Sequence, residues 1–537
     1  MKLIDANDFK NAIFSAFEKL NEKKEEVNSL NVFPVPDGDT GTNMTMTVKS
    51  AVKSISEIKT NSVSEIAKAL SQGSLMGARG NSGVILSQLF RGMYKALKDK
   101  DKIGPNEIKD SFIKAKETAY KAVMKPTEGT ILTVASKMSD EALNKYSEDI
   151  EVDKYLYYIY LEGYKALKNT PNQLPVLKEA GVVDSGGQGL IYLFEGALNF
   201  LNNNLSTDKK EIEINQNNDF NNILNDKKIS EVNSSYSVEF NLDLNLKIDE
   251  FKEKLSEIST DSKIEGDLGT LKIKTFTENP GKVIDLGLKL GNISNIEINS
   301  FNRKEDDNLD VNLNKKEELK EYGFIAVSSG TGYDDVFRSL NFDEIITGGQ
   351  TMNPSTEDIF KSTEKINAKN IFIFPNNKNI ILAAKQVKDL SEKNIFVIET
   401  TSIPQAFSVI LSFDSTLSPE ENYNIMTDAL ANVKVCDITF SVKDTSISGR
   451  KINKGDIIGL IDGKIIENGN NIEGVTLKTV EKSIQEDTSL ITVFYGKDIK
   501  KEEAENLIDS LKGKYKDFDF ELIFGGQPLY YYAISIE

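Results

Sequence analysis

The segment Asn31-Val-Phe-Pro-Val-Pro-Asp37-Gly38-Asp39-Thr40-Gly41-Thr42-Asn43 sets two carboxylates one residue apart in a Pro/Gly loop, just ahead of a helix-like stretch. Glycine between them lets the backbone turn tightly, so both carboxylates can face one space. Two such groups repel unless a cation sits between them. Short oxygen ligands suit magnesium, which keeps waters and substrate phosphates as its other ligands. Thr40-Gly-Thr-Asn43 then opens a helix, where N–H groups and the helix dipole favour a phosphate. The chemistry implied is a magnesium–nucleotide phosphate site. The plain alternative is an Asx-rich turn that caps a helix.

Three more loops carry similar residues. Gly77-Ala-Arg-Gly80-Asn81-Ser82-Gly83 is glycine-rich and leads into a helix. Its glycines let backbone approach a phosphate, and Asn81 or Ser82 can donate to it. Lys125-Pro-Thr-Glu-Gly129-Thr130 and Gly181-Val-Val-Asp184-Ser185-Gly186-Gly187 also precede helical patterns. Each alone reads as a cap or a turn. Four such loops between helices exceed what ordinary connections require.

The elements that position them are helical. Residues 8–27 place Phe9, Ile13, Phe17 and Leu20 on one face. Helical patterns recur at 44–58, 63–71, 82–98, 106–124, 131–145, 152–168 and 187–201, with few strand signals among them. Residues 1–201 therefore read as an all-α bundle with its loops at one end. Residues 202–232 are rich in Asn, Asp, Lys and Ser and read as a linker. Residues 233–302 then follow β-α-β-α-β: strands at Ser237–Leu244, Leu271–Thr277 and Ile293–Ser300, helices at 248–258 and 282–290. This predicts a small α+β middle domain. Residues 303–319 form a second charged linker. From 320 to 537, short apolar runs at Phe324–Ser328, Glu344–Thr347, Ile371–Phe374 and Ile395–Glu399 alternate with helical patterns, the signature of a parallel α/β sheet. Strands at Asp437–Val442, Ile491–Tyr495, Glu521–Phe524 and Tyr531–Ile536 and a helix at 501–513 complete it.

Composition narrows the function. At 537 residues the chain is too long for one core. Its net charge of −18 argues against nucleic acid or an anionic membrane as partner. One cysteine, Cys436, forbids an intrachain disulfide and points to a reducing cytoplasm; no apolar run is long enough to span a bilayer. There is no histidine. Chemistry must run on carboxylates, hydroxyls, amines, backbone and bound metal.

The motifs also carry a resemblance. Asn31–Met44 and Gly77–Gln88 resemble the nucleotide-binding L subunit of dihydroxyacetone kinases and, more closely, the kinase subunit of bacterial fatty acid kinase. Thr170–Gly189, Ile346–Ile359, Phe374–Ile380 and Gly525–Tyr532 are similar to the latter too. The likeness spans nearly the whole chain in one order. It implies an antiparallel helical barrel holding ATP with a pair of magnesium ions at its rim. Asp37 and Asp39 would be metal ligands and the catalytic carboxylates. Asn31, standing where the L subunit has its first aspartate, is the third candidate ligand. Thr40, Gly41, Thr42, Asn43, Asn81, Ser82 and Gly83 would line the phosphates, and Gly129, Thr130, Asp184, Ser185 and Gly186 the rest of the nucleotide. The family transfers the γ-phosphoryl group to a fatty acid on a separate fatty-acid-binding carrier protein, giving acyl phosphate for phospholipid synthesis. A homodimer is compatible with the resemblance. The family often has a zinc-like site in the middle domain. Here Ser237, Lys274 and Phe276 stand at those positions, so no zinc is expected.

The missing histidine fits a carboxylate acceptor, which is already ionised at neutral pH and needs no base. A kinase of a small hydroxyl substrate such as dihydroxyacetone, or a nucleotide-binding regulatory scaffold, are the alternatives. In the C-terminal domain, Ser328-Ser-Gly-Thr-Gly332 and Gly348-Gly-Gln-Thr-Met-Asn-Pro354 follow strands, a setting in which loops bind anions. With ATP placed in the helical domain, these loops are expected to form an interaction surface for the carrier. Tyr530–Tyr532 is expected to pack in a strand, and Cys436 to be an inert core residue.

Overall fold

A computed structural model describes residues 3–31, 38–123, 125–203, 236–244, 254–255, 258–265, 270–277, 279–300, 319–349, 353–442, 444–447, 450–486 and 488–537. The chain forms two compact units, Met1–Lys210 with Glu317–Glu537, and Glu211–Lys316.

The first part of the larger unit is helical: α1 Ala6–Glu22, α2 Lys24–Ser29, α3 Thr40–Glu57, α4 Val63–Met76, α5 Gly80–Leu97, α6 Pro105–Ala122, α7 Ile131–Asn144, α8 Val152–Gln173, α9 Pro175–Ala180 and α10 Ser185–Asn203. Local chemistry sets several ends. Asp5 accepts from Asp8 N–H and Ser62 from Glu65 N–H, each an N-cap. Pro105 and Pro175 stand at first-turn positions, where a missing N–H is harmless. α1 packs on α3, α3 on α4, and so on through α5, α6, α7 and α8 to α10, which packs back on α1. Apolar stripes of these helices meet inside, around Phe17, Leu20, Met44, Val48, Leu86 and Ile159. An apolar cavity of about 190 Å³ remains between them.

The smaller unit has strands β1 Tyr236–Leu244, β2 Thr260–Glu265, β3 Thr270–Thr277 and β4 Gly291–Ser300 in the order β2-β3-β1-β4, and helix α11 Pro280–Leu290. These pairings are antiparallel. Val238, Phe240, Leu242, Ile273 and Val283 form its core. β2 is not legible in the sequence pattern, and the expected helix at 248–258 lies mostly outside the described residues. Ser237 pairs with Phe276, and Glu239 with Lys274.

In the C-terminal part, β5 Lys320–Ser328, β6 Glu344–Thr347, β7 Ala368–Phe374 and β8 Asn394–Val397 form a parallel sheet ordered β6-β5-β7-β8. Helices α12 Thr331–Ser339, α13 Thr356–Lys365, α14 Ile381–Val387, α15 Ile403–Ile410 and α16 Pro419–Ala429 accompany it. A second sheet is built from β9 Lys434–Phe440, β12 Ile457–Ile461, β13 Lys464–Gly469, β14 Leu490–Tyr495, β15 Asp519–Phe524 and β16 Tyr532–Ile536, ordered β13-β12-β9-β16-β14-β15. Helices α17 Ile472–Ser483 and α18 Lys501–Lys514 and the hairpin β10 Thr445–Ile447/β11 Arg450–Ile452 complete the domain. Rings of Tyr333, Phe337, Phe372, Phe374, Phe407 and Phe494 join the two sheets in one core. Tyr532 is buried in β16, and Cys436 is fully buried with its thiol pushed up to about 12 by burial. No described helix is long and apolar enough to cross a membrane.

At the start of α12 two backbone donors are already spent within the chain. The N–H groups of Gly332 and Tyr333 both donate to the Gly525 carbonyl, at 3.1 and 3.2 Å. A Cβ at Gly332 would lie 1.8 Å from the Phe524 carbonyl oxygen, so only glycine allows this closure. The Gly525–Gly526 turn thus takes two of the donors on that side, while Ser328, Ser329, Gly330 and Thr331 line a cavity of about 480 Å³ together with Gly348, Asn376 and Gln527.

Candidate active site

Four helices begin at one place. Asn31 Nδ2 donates to Thr40 Oγ1 at 3.3 Å, and Ser185 Oγ to the same oxygen at 3.3 Å, which joins the starts of α3 and α10. Asp184 caps α10, accepting from Gly187 N–H at 2.7 Å and also from the N–H of Ile131, the first residue of α7. A Cβ on Gly186 would lie 3.4 Å from Ser82 Oγ, and one on Gly80 would lie 2.5 Å from Asn43 Nδ2; α5 therefore starts beside α3 and α10. Gly80 has a φ of +59°, a conformation that L side chains avoid. Thr130 is the N-cap of α7, with Gly129 turning ahead of it at a φ of +81°.

The electrostatics follow from this convergence. Each helix N-terminus carries a partial positive charge of about half a unit. Neither N-cap residue, Asp39 or Arg79, caps α3 or α5 with its side chain, so apart from Thr42 N–H, which Asn28 Oδ1 takes, their first-turn backbone donors are left for a ligand. The hydroxyls of Thr40 and Ser82 add donors around them, that of Ser185 being given to Thr40 Oγ1. This donor set fits a polyphosphate. It also leaves most of the phosphate charge for a cation to neutralise, and Asp39 is the acid at hand. Asp39 is the N-cap of α3 and only 8% exposed. Asp37 lies outside the described residues. Among the described residues, no three Asp, Glu, His or Cys side chains gather as a metal cluster.

α2 braces the start of α3. Asn28 Nδ2 donates to Thr42 Oγ1, and Thr42 N–H donates back to Asn28 Oδ1, both at 3.1 Å. Sequence reasoning does not find Asn28. Its position just upstream of the Pro loop, one residue past the end of the expected helix 8–27, gives no signal.

The second feature beyond the sequence reading is the contribution of the C-terminal domain. Asn353 Nδ2 donates to Asp39 Oδ2 at 2.6 Å. The Arg79 guanidinium donates to the Asn353 carbonyl at 2.7 Å and pairs with Asp358 at 3.3 Å. Thr356 N–H donates to the Ala78 carbonyl at 3.1 Å, and Asn81 Nδ2 to Asn379 Oδ1 at 3.4 Å. Ala78 and Val84 belong to the same apolar cluster as Ile359, Ile380 and Ala383. The 346–359 motif, expected as a surface for a carrier, thus packs on the glycine loop of the chain's own helical domain. Gln350–Met352 lie outside the described residues.

Burial pushes the Asp184 carboxyl up from 3.8 to about 6, against the N–H groups of Gly187 and Ile131, which pull it down. Between those two values the folded chain keeps a proton that the unfolded chain has lost. Stability should therefore fall as pH rises through that window and level off above it. Asp184→Asn keeps an oxygen for both N–H groups and removes the titration. Thermal midpoints of the nucleotide-free proteins should show wild type losing ground to the variant from about pH 4 to about pH 6, with parallel curves above. Parallel curves throughout would refute the assignment.

Comparison with known proteins agrees with this architecture. The DAK2 domain family matches residues 34–199, and its members' kinase character makes this chain a phosphotransferase of that class. The FakA-like middle and C-terminal domain families of fatty acid kinase match residues 233–308 and 323–537. An uncharacterized protein of Staphylococcus haemolyticus is 39% identical over 99% of both chains. Protein YloV of Bacillus subtilis is 36% identical over 100% of both. The chain belongs to the FakA-like family of fatty acid kinase proteins. Among solved structures, the dihydroxyacetone kinase from C. freundii in complex with AMP-PNP and Mg2+ is similar over 35% of this chain and 33% of that one, at 16% identity and a TM-score of 0.29. The Streptococcus pneumoniae Fatty Acid Kinase B3 protein loaded with linoleic acid is similar over 40% of this chain and 99% of that one, at 11% identity and a TM-score of 0.29.

Proposed function

We propose that this chain is the ATP-binding component of an acyl kinase, which phosphorylates the carboxylate of a fatty acid presented by a separate binding protein in the cytoplasm. The observation that carries this reading is the meeting of four helix N-termini beside Asp39 in a chain of this family that has no histidine. Residues 1–201 act as a closed helical barrel. Thr40–Asn43 and Asn81–Gly83 hold the phosphates, and Gly129, Thr130 and Asp184–Gly186 hold the rest of the nucleotide. Asp37 and Asp39, with Asn31 as third candidate, hold a pair of magnesium ions, which supply charge neutralisation on the phosphates. Residues 233–302 form the middle domain between two linkers, and 320–537 receive the carrier.

The acceptor chemistry suits these residues. A fatty carboxylate with a pKa of about 4–5 is ionised at neutral pH. Its oxygen attacks the γ-phosphorus in line, ADP leaves, and no proton has to move. The chain's task is then positioning, which can supply roughly 7–11 kcal/mol. A hydroxyl acceptor would more often need a base, and histidine is not available. The product, an acyl phosphate, is an activated acyl donor for phospholipid synthesis.

The test is the full-length chain with ATP, magnesium and a lipid-loaded binding protein, with acyl phosphate trapped as hydroxamate. One hydroxamate per ADP is expected, and none without the loaded carrier. ADP release with dihydroxyacetone, but not with the loaded carrier, would favour the hydroxyl reading. Nucleotide binding with no transfer to either acceptor would favour the scaffold.

A further inference from the structure

We propose that the C-terminal domain completes the phosphoryl-transfer site, with Asn353 as the positioning residue for Asp39. This rests on the reading of Asp39 as a magnesium ligand and goes beyond it, because it assigns the site to two domains. Asn353 lies 314 residues from Asp39 in sequence, is 2% exposed, and donates its amide to Asp39 Oδ2 at 2.6 Å. Its backbone is fixed from both sides. Arg79, from the glycine loop, donates to its carbonyl at 2.7 Å. Just downstream, Ser355 and Asp358 form a capping box on α13, and Asp358 also pairs with Arg79 at 3.3 Å. The loop that carries Asn81 and Ser82 and the residue that orients Asp39 are thus tied to each other through one arginine.

The residue type matters. A lysine here would neutralise Asp39 and compete with a cation. An aspartate would repel it when no cation is bound. An asparagine donates one hydrogen bond, selects one carboxylate orientation, and leaves the negative charge in place. Partners of this kind around metal ligands tune both affinity and geometry. The other end of the amide supports the same role. Asn353 Oδ1 is buried without a hydrogen-bond partner, beside a carboxylate. Buried acceptors are rarely left so, and a proton of metal-bound water is a partner of suitable chemistry.

The experiment uses the full-length chain and Mn2+ as a spectroscopic substitute for magnesium, titrated in the presence of ADP and followed by electron paramagnetic resonance. Thermal melting and kcat and KM for the loaded carrier are measured alongside. Asn353→Ala should weaken Mn2+ binding by about 10–100-fold and lower kcat by a similar factor, with little change in KM for the carrier. Asn353→Asp should melt earlier than wild type without metal and recover when Mn2+ is added, because the cation separates two adjacent carboxylates. Asp389→Asn breaks the Arg91–Asp389 ion pair between the same two parts of the chain without touching Asp39, Asn353 or Arg79, so its Mn2+ affinity should stay at the wild-type value. A residue that merely glues the domains would lower the melting temperature and leave Mn2+ affinity and the metal rescue unmoved. If wild type binds Mn2+–ADP and Asn353→Ala binds it equally well, the positioning role alone falls. If wild type itself binds no Mn2+–ADP, the reading of Asp39 falls and the proposal with it.

Discussion

Asp39→Asn should lower phosphoryl transfer by about 10²–10³-fold, the range seen when one charge-stabilising group is removed from a transition state. The substitution keeps the shape of the side chain. Its oxygen can still accept from Asn353 Nδ2, which now does so at 2.6 Å, and the start of α3 can stay in place. What disappears is the negative charge. A cation held by one carboxylate fewer is bound more weakly, and less of the charge on the transferring phosphoryl group is neutralised. The loss should appear in kcat and in the magnesium requirement rather than in the KM for the carrier. The melting temperature should move little, because Asp39 makes no side-chain cap on its own helix. Asp37→Asn is expected to behave in the same way. Steady-state rates at saturating magnesium decide the matter. A variant that matches wild type there would remove Asp39 from the chemistry and leave it an interdomain contact.

Much of the helical domain is legible in the sequence, and the reason is periodicity. Expected helices at 63–71, 131–145 and 152–168 appear as Val63–Met76, Ile131–Asn144 and Val152–Gln173. The errors lie at the N-termini that matter most. The apolar patterns begin at 44, 82 and 187, whereas the helices start at Thr40, Gly80 and Ser185. First turns built from Thr, Gly, Asn and Ser have no apolar stripe, so periodicity misses the residues that face a ligand. Glycine and Asx chemistry recovers them instead. The break after Glu22 is invisible in the pattern because Lys23 interrupts the helix without any breaker residue. In the C-terminal domain the four parallel strands are legible as apolar runs. The strands Ile457–Ile461 and Lys464–Gly469 and the helix Ile472–Ser483 are not, being short and edged with charge.

The contact between Asn353 and Asp39 is beyond any local signal. Both motifs stand out in the sequence, yet each suggests a separate role. Nothing in spacing or composition says that a loop after one parallel strand will cover the start of a helix in another domain. The apolar positions Ala78 and Val84 carry a clue, since both are fully buried against Ile359, Ile380 and Ala383 rather than within the helical core. A glycine loop with two apolar residues on its outer side needs a cover. The sequence shows the need without naming the covering segment.

Gly41→Ala should both destabilise the chain and weaken nucleotide binding, although it adds one methyl group. Gly41 is the second residue of α3. A Cβ there would lie 2.2 Å from the Lys24 carbonyl oxygen and 3.0 Å from Val27 Cβ and Asn28 Oδ1. The first of these atoms is backbone in α2, so no side-chain rotation relieves the clash. Either α2 or the first turn of α3 must shift. Overpacking of this kind costs typically about 1–3 kcal/mol. The shift also pulls Asn28 from Thr42, where two hydrogen bonds of 3.1 Å now hold the helix start. Asp39 and Thr40 move with that turn, so affinity for a magnesium nucleotide should drop by about tenfold or more, one lost or misplaced charge-assisted contact being worth about 1.5–3 kcal/mol. Gly513→Ala provides the contrast. Gly513 sits near the end of α18 with nothing within 4 Å of where its Cβ would be. There the methyl group meets open space and improves helix propensity by up to about 1 kcal/mol. Melting curves and a nucleotide titration of both variants separate the two effects. Gly513→Ala should match or exceed wild type in stability and bind nucleotide equally. If Gly41→Ala did the same, α2 would not set the position of the phosphate-binding turn, and the constraint on Asp39 would have to come from Asn353 and its domain alone.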